Sequence, residues 1–474
     1  MGYASHCSKL VLTSHLALLV CNLLLIGCGG GGITTSTPQN PQQPPIPTVS
    51  ISSDKATVIA GDTVTLSWTS TAATSVSIDN GIGPVPASGS RDVQPNSDTT
   101  YTITGSGAGG TATAAVTIKL SDTRSAVKHV VVVVMQNRSF DHLFGKFPGA
   151  NGAQEGDPGY VQKDANGNDV TPSLLTQVNR IDLFHAHADF LKMVNGGKMD
   201  QFALVNGAVA MGYYDRSTPG ISQLWDLAQQ FALADNFFSS VMGDAPSNQL
   251  YMVAASDNEF PFGVEPDFGP CDEADPAAKP YTFPNLADQL ADKNIAWGWF
   301  AESYGICEDY QENQNPFQYF TSTNDSNRIQ DFSQFKIRLV DGTLPPVSFI
   351  QPTDPHGMHP SSSSGVDVAV QWLAQLVQDI QNSSAWPDVA IIVVWDSSGG
   401  WYDHVPPAMV DNQGLGPRVP LLVVSPFGKR NYISHVQMDD VSILKFIQWN
   451  WGLLSLNPRN DSVESGDLRD MFQF

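Results

Sequence analysis

Three stretches of this chain run the length of a β-strand with almost no polar residue. His129–Met135 reads HVVVVVM, Val389–Trp395 reads VAIIVVW and Val419–Val424 reads VPLLVV. A strand with one wet face alternates polar and apolar residues, so a continuous apolar run must be covered on both faces. Helices on either side of a parallel sheet provide that cover. Between Val366 and Ile380 the apolar positions 366, 369, 370, 373, 376, 377 and 380 follow helical spacing. That helix leads into the strand at 389, as a crossover connection does. From about residue 121 to 474 the expected fold class is therefore α/β, a mostly parallel central sheet flanked by helices. Chemistry in such sheets gathers beyond the carboxyl ends of the strands.

Past the first strand comes Gln136-Asn137-Arg138-Ser139-Phe140-Asp141-His142, and past the later one Asp396-Ser397-Ser398-Gly399-Gly400-Trp401-Tyr402-Asp403-His404. Oxygen and imidazole donors converging from two strand ends suit a divalent metal or an oxyanion. Polar residues at strand ends are common, so spacing alone leaves a purely structural role open.

Residues 48–120 have a different grammar. Val64, Leu66 and Trp68 alternate with Thr65, Ser67 and Thr69, and Val116, Ile118 and Leu120 repeat the pattern. Gly61-Asp62, Asn80-Gly81 and Pro95-Asn96 punctuate the runs. Short alternating strands at such spacing predict a small all-β sandwich, similar to the immunoglobulin-like modules of bacterial surface proteins. Adhesion and a plain stalk are both open for it. Gly105–Gly110 falls inside this module and precedes no helix, so it is no phosphate loop.

The N-terminus reads as an address. Residues 1–27 hold one charge, Lys9, and then an apolar stretch too short and too interrupted for a membrane span. The stretch ends Leu25-Ile26-Gly27-Cys28, which resembles the lipobox of bacterial lipoproteins with Cys28 as the acylated residue. An ordinary signal peptide is the alternative. Gly29 after the cysteine implies, by the same resemblance, an exported outer-membrane or cell-surface lipoprotein held to the membrane through its lipid anchor. The segment 28–47 is a spacer of Gly, Thr, Pro and Gln without a charge. With Cys7, Cys21 and Cys28 accounted for, Cys271 and Cys307 are expected to pair in an exported protein.

Charge excludes one class of partner. The chain carries 24 Lys+Arg against 47 Asp+Glu, a formal net charge of −23. A nucleic-acid binder needs a basic footprint, and this is the opposite. Most of the acidity lies beyond residue 120, in the α/β domain.

Several motifs now point together. Val130–Gly145 (VVVVVMQNRSFDHLFG), Asn195–Asp200 (NGGKMD), Met211–Tyr214 (MGYY), Ala234–Phe238 (ADNFF) and 395–456, with GGWYDHVPP and GPRVPLLVVSPFGKRNYISHVQ, occur in order. Over about residues 125–456 the chain resembles the bacterial phosphoesterase family of phospholipases C and acid phosphatases, within the alkaline-phosphatase-like superfamily. The resemblance implies metal-assisted hydrolysis of phosphate esters, phospholipids among them, with a divalent ion whose identity is open. By position it implies Asn137 near metal and phosphate, Asp396 as a metal ligand, and His185 and His359 as active-site histidines. His404 falls in a matched motif as well, where catalysis and a satisfied structural histidine are equal readings.

The departures matter as much. Many relatives carry Glu where Gln136 stands and a second acidic residue where Ser397 stands. The nucleophile turn reads Gly243-Asp244-Ala245-Pro246-Ser247-Asn248, with Ala245 at the hydroxyl position. Neutral ligands compensate much less of a dication's charge. Three readings follow: Ser247 as a shifted nucleophile with Asp244 as a displaced carboxylate, direct attack by water, or a catalytically degenerate domain acting as a surface binding protein or adhesin.

Overall fold

The computed structural model describes residues 43–175, 181–243, 245–257, 271, 280–324, 327–361 and 365–474. The signal segment, Cys28, most of the spacer and Asp244 lie outside these residues.

An eight-stranded sheet organises the α/β part. In chain order its strands are β1 (His129–Met135), β2 (Ala232–Ala234), β3 (Trp297–Ala301), β4 (Ile329–Asp331), β5 (Val347–Gln351), β6 (Val389–Trp395), β7 (Leu421–Val424) and β8 (Tyr432–Ser434). Across the sheet they lie in the order β4-β3-β5-β1-β6-β7-β2-β8. From β4 to β6 every pairing is parallel. β7, however, runs antiparallel to both β6 and β2. Its apolar run reflects cover on both faces, which strand direction does not decide. That strand also starts at Leu421 rather than Val419, because Pro420 has no N–H to give to a ladder.

Five helices matter for the site: α1 (Phe140–Phe144), α2 (His187–Val194), α3 (Ala245–Ala254), α4 (Val366–Gln381) and α5 (Asp440–Trp451). α4 buries Val366, Ala369, Val370, Leu373, Leu376, Val377 and Ile380, the stripe its spacing predicts. Trp297, Trp299 and Phe300 belong to β3 and lie in the core. Cys271 and Cys307 form a disulfide, with Cα atoms 5.0 Å apart. No helix among the described residues is long and apolar enough to cross a membrane.

Residues 48–120 form a three-stranded and a five-stranded sheet around Val64, Leu66, Trp68, Ile103 and Ile118. This sandwich docks on the C-terminal end of α5. Arg124 forks onto Asp62 at 3.0 and 2.6 Å and also donates to the Trp449 carbonyl at 3.0 Å. Ile59 packs so closely on Gly452 that a β-carbon there would collide with it.

Candidate active site

β1 and β6 pair residue for residue, from His129 with Val389 to Met135 with Trp395. Their carboxyl ends are therefore level, and Asn137 and Asp396 emerge side by side. The Asn137 N–H donates to Asp396 Oδ1 at 2.9 Å, and the Asp396 N–H donates to the Met135 carbonyl at 3.0 Å. Asn137 has a φ of 55°, a left-handed conformation that asparagine tolerates better than most residues. Gly399 has a φ of 60°, and a β-carbon on it would sit 2.5 Å from the Asn137 carbonyl oxygen. Only glycine lets the two strand-end loops approach this closely.

The Asn137 carboxamide links three further groups. Its Oδ1 accepts from Ser397 Oγ at 2.9 Å, and its Nδ2 donates to His185 Nε2 at 3.3 Å. His185 Nδ1 lies 2.5 Å from the Leu183 carbonyl, which can only accept. Nδ1 therefore carries the ring proton in neutral His185 and Nε2 has the lone pair. His359 follows β5, on a loop fixed where the Gln136 N–H donates to the Gly357 carbonyl at 2.9 Å. Its ring centroid lies 6.5 Å from that of His185. Burial first, and then the charges of His185 and Arg138, hold His359 below its ordinary pKa, while Asp182 and Asp354 oppose them.

Arg138 lies beneath this group, almost wholly buried. Nε donates to the Met358 carbonyl and Nη1 to His142 Nε2, both at 3.1 Å, and the guanidinium sits 5.3 Å from the centre of the Trp401 ring. Burial lowers its pKa to about 10, so it remains charged at neutral pH.

The strand ends thus gather Asn137, Asp396, Ser397, His185 and His359. Three other expectations fare differently. Gln136 Nε2 is engaged elsewhere, donating to Gln311 at 2.8 Å and to Gln314. Ser247 is buried in the first turn of α3, and no hydrogen bond joins it to the Asn137 network among the described residues. His404 belongs to a separate ion cluster. Its Nδ1 lies 2.6 Å from Asp141 Oδ2, and the same Asp141 and Asp403 hold the fully buried Arg418. Burial works against the charge of His404, yet the Asp141 carboxylate raises it above the ordinary value. Of its two equal readings, the satisfied structural histidine is the one with partners in place.

Of the metal ligands expected at Asp396, Asn137, Gln136 and Ser397, Asp396 is the one carboxylate and Asn137 Oδ1 accepts from Ser397. Gln136 turns its Nε2 toward two glutamines, while its Oε1 stays buried with no hydrogen-bond partner among the described residues, as an oxygen kept for a cation would. Sequence reasoning also missed three residues. Asp182, three positions before His185, lies 3.8 Å from its Nδ1. Arg138 stood inside a quoted motif without a role. Asp440 opens α5 with its carboxyl pushed well above the ordinary range, first by burial and then by Asp439 and Asp396. The Asp439-Asp440 pair at a helix start was a readable signal for Asp440.

The Phosphoesterase family model matches residues 127–454. The non-hemolytic phospholipase C of Pseudomonas aeruginosa is 26% identical over 411 residues, which cover 73% of this chain and 57% of that protein. Phospholipase C B of Mycobacterium tuberculosis is 25% identical over 418 residues, covering 73% of this chain and 78% of that one. The chain spans 57% and 59% of the length of the phospholipases C it matches from P. aeruginosa and Burkholderia pseudomallei. Among solved structures, murine ectonucleotide pyrophosphatase/phosphodiesterase 5 is similar with 11% identity and a TM-score of 0.37, over 73% of this chain and 100% of that one. A family match running from the start of β1 past the end of α5 takes in every strand end described above, and the chain belongs to the Phosphoesterase family.

Proposed function

We propose that this protein hydrolyses phosphate esters, of the kind cleaved by phospholipases C or acid phosphatases, from an outer-membrane or cell-surface position set by a lipid on Cys28. The observation that supports the chemistry is the junction at Asn137, whose backbone meets Asp396 and whose carboxamide meets Ser397 and His185. Asp396 fixes the left-handed turn, the turn aims the carboxamide, and the carboxamide orients the imidazole. Held groups of this kind lower a barrier because they need no reorganisation during reaction. Ala245 at the usual nucleophile position and the burial of Ser247 favour water as the attacking group. Its oxygen would bond to phosphorus as the ester P–O bond breaks, and the departing alcohol would take up a proton.

A second reading, a binding protein or adhesin without turnover, draws support from the same losses at Gln136, Ala245 and Ser397. Purified full chain assayed on p-nitrophenyl phosphate, its bis-ester and p-nitrophenylphosphorylcholine separates the two. The expected result is turnover that falls at least a hundredfold in His185→Asn, with Ser247→Ala close to the parent. No turnover on any of the three substrates would leave the binding reading standing.

A further inference from the structure

The loop that carries His359 is held by two side chains outside the motifs described above. We propose that Glu302 and His356 are positioning residues for the hydrolysis, setting where the His359 ring stands opposite His185; the catalytic part of this assignment rests on the phosphoesterase reading. Glu302 directly follows β3, and its N–H donates to the Gln351 carbonyl, at the end of β5, at 2.9 Å. Its carboxylate then reaches over the end of β5. Oε2 accepts from the Thr353 N–H at 3.2 Å, and Oε1 and Oε2 lie 3.0 and 2.9 Å from His356 Nδ1. A carboxylate only accepts, so Nδ1 donates and the bond is charge-assisted. The His356 ring lies flat on Trp372 of α4, with centroids 5.5 Å apart and planes 14° from parallel.

From His356 the chain reaches His359 through backbone groups that are each tied down. The His356 and Gly357 N–H groups donate to the Thr353 carbonyl at 2.6 and 2.8 Å. The Gly357 carbonyl accepts from the Gln136 N–H, and the Met358 carbonyl from Arg138 Nε. Met358 has a φ of 73°, a left-handed conformation that persists in a non-glycine residue only where the surroundings impose it. Among the described residues, the hydrogen bonds of the His359 ring stay inside the loop, with Nδ1 2.7 Å from Ser361 Oγ. The ring thus takes its position from the loop, and the loop takes its own from Glu302.

The pair adds little as a brace for the fold as a whole. The His356 and Glu302 side chains are 31% and 16% exposed, and partly exposed ion pairs contribute little to stability. What matters is its place, tying the ends of β3 and β5 to α4 at the base of one active-site loop. A displacement of about 1 Å in a reacting group costs about a hundredfold in rate, so a weak brace in this place acts on turnover more than on folding.

Full chain is assayed on p-nitrophenyl phosphate and, labelled with ¹⁵N-histidine, followed by NMR with the His359 signals assigned from His359→Asn. Glu302→Ala should lower kcat about tenfold or more, with KM within about twofold and an unfolding temperature close to the parent's. His356→Phe, which keeps the stack on Trp372, should do the same. Glu302→Gln keeps an acceptor and should recover most of the turnover. In the His359→Asn background Glu302→Ala should cost nothing further, because residues that act as a unit are not additive. Glu302→Ala and His356→Phe should also move the His359 imidazole signals and leave those of His404 in place. Unmoved His359 signals, or a loss of kcat equally large with and without the His359 imidazole, would overturn the assignment. A parent without turnover would sink the hydrolase reading, and the His359 signals would then decide the positioning by themselves.

Discussion

His404 shows how little a residue's motif says about its work. It follows Asp403 in a stretch that also carries Asp396 and Ser397, yet its ring meets Asp141 rather than the Asn137 group. The result is a buried cluster of two aspartates, one arginine and one histidine, all nearly inaccessible to solvent. Removing one member leaves an uncompensated buried charge, which costs about 3–5 kcal/mol. His404→Gln should therefore lower stability by roughly that amount below pH 6, where His404 is charged in both folded and unfolded chains. Since the folded pKa of His404 is raised, its contribution is complete below about 6.5 and is lost as pH rises through the folded value. Asp141 shifts the opposite way, so its own contribution is complete above about pH 4 and is lost as pH falls. Thermal unfolding of parent and variant at pH 5.5, 7 and 8.5 should show the gap closing at the alkaline end. A gap independent of pH would refute the charged state of His404.

At the scale of elements, the level ends of β1 and β6 make the site, and the start of α5 brings Asp440 near Asp396. Asp439 donates its N–H to Ser442 Oγ at 3.2 Å, and its carboxylate accepts from Ser240 Oγ at 3.1 Å and pairs with Arg459. These bonds set where Asp440 stands, against Ser240 on one side and near Asp396 on the other. Removing the carboxylate leaves Ser240 without that acceptor and Arg459 with its second partner, Asp411. Asp439→Ala should therefore lower the unfolding temperature more than Asp439→Asn, which keeps an acceptor for Ser240 and gives up only the charge. Equal losses would mean that the Ser240 bond contributes nothing measurable.

For the whole molecule, the question is how the sandwich and the α/β part hold together. Arg124 binds Asp62 in the sandwich and the Trp449 carbonyl in α5, so one side chain spans both units. Asn450 reinforces it, accepting from Ser125 Oγ at 2.6 Å and donating to the Val127 carbonyl at 2.9 Å. Arg124→Ala should speed limited proteolysis between the two units without changing turnover, whereas on the proposed lipid anchoring Cys28→Ala should release the protein from membranes with its docking intact. Unchanged cleavage in Arg124→Ala would show that packing of Ile59 on Gly452 suffices.

The sequence by itself determined the elements. Continuous burial forces the apolar runs of β1 and β6, helical spacing forces α4, and alternation forces the sandwich, because each pattern is a local consequence of which faces meet water. It also located Asn137, Asp396, His185 and His359, through strand ends and motif order. Tertiary structure alone decided what these residues touch. The β1–β6 register brings together Asn137 and Asp396, 259 positions apart, and no local pattern encodes register between strands so distant. Likewise, only three-dimensional packing turned Gln136 toward Gln311, gave His404 to Asp141, and set Asp182 beside two histidines. The direction of a side chain at a strand end is chosen by the neighbours that fold against it, and those neighbours come from the far end of the chain.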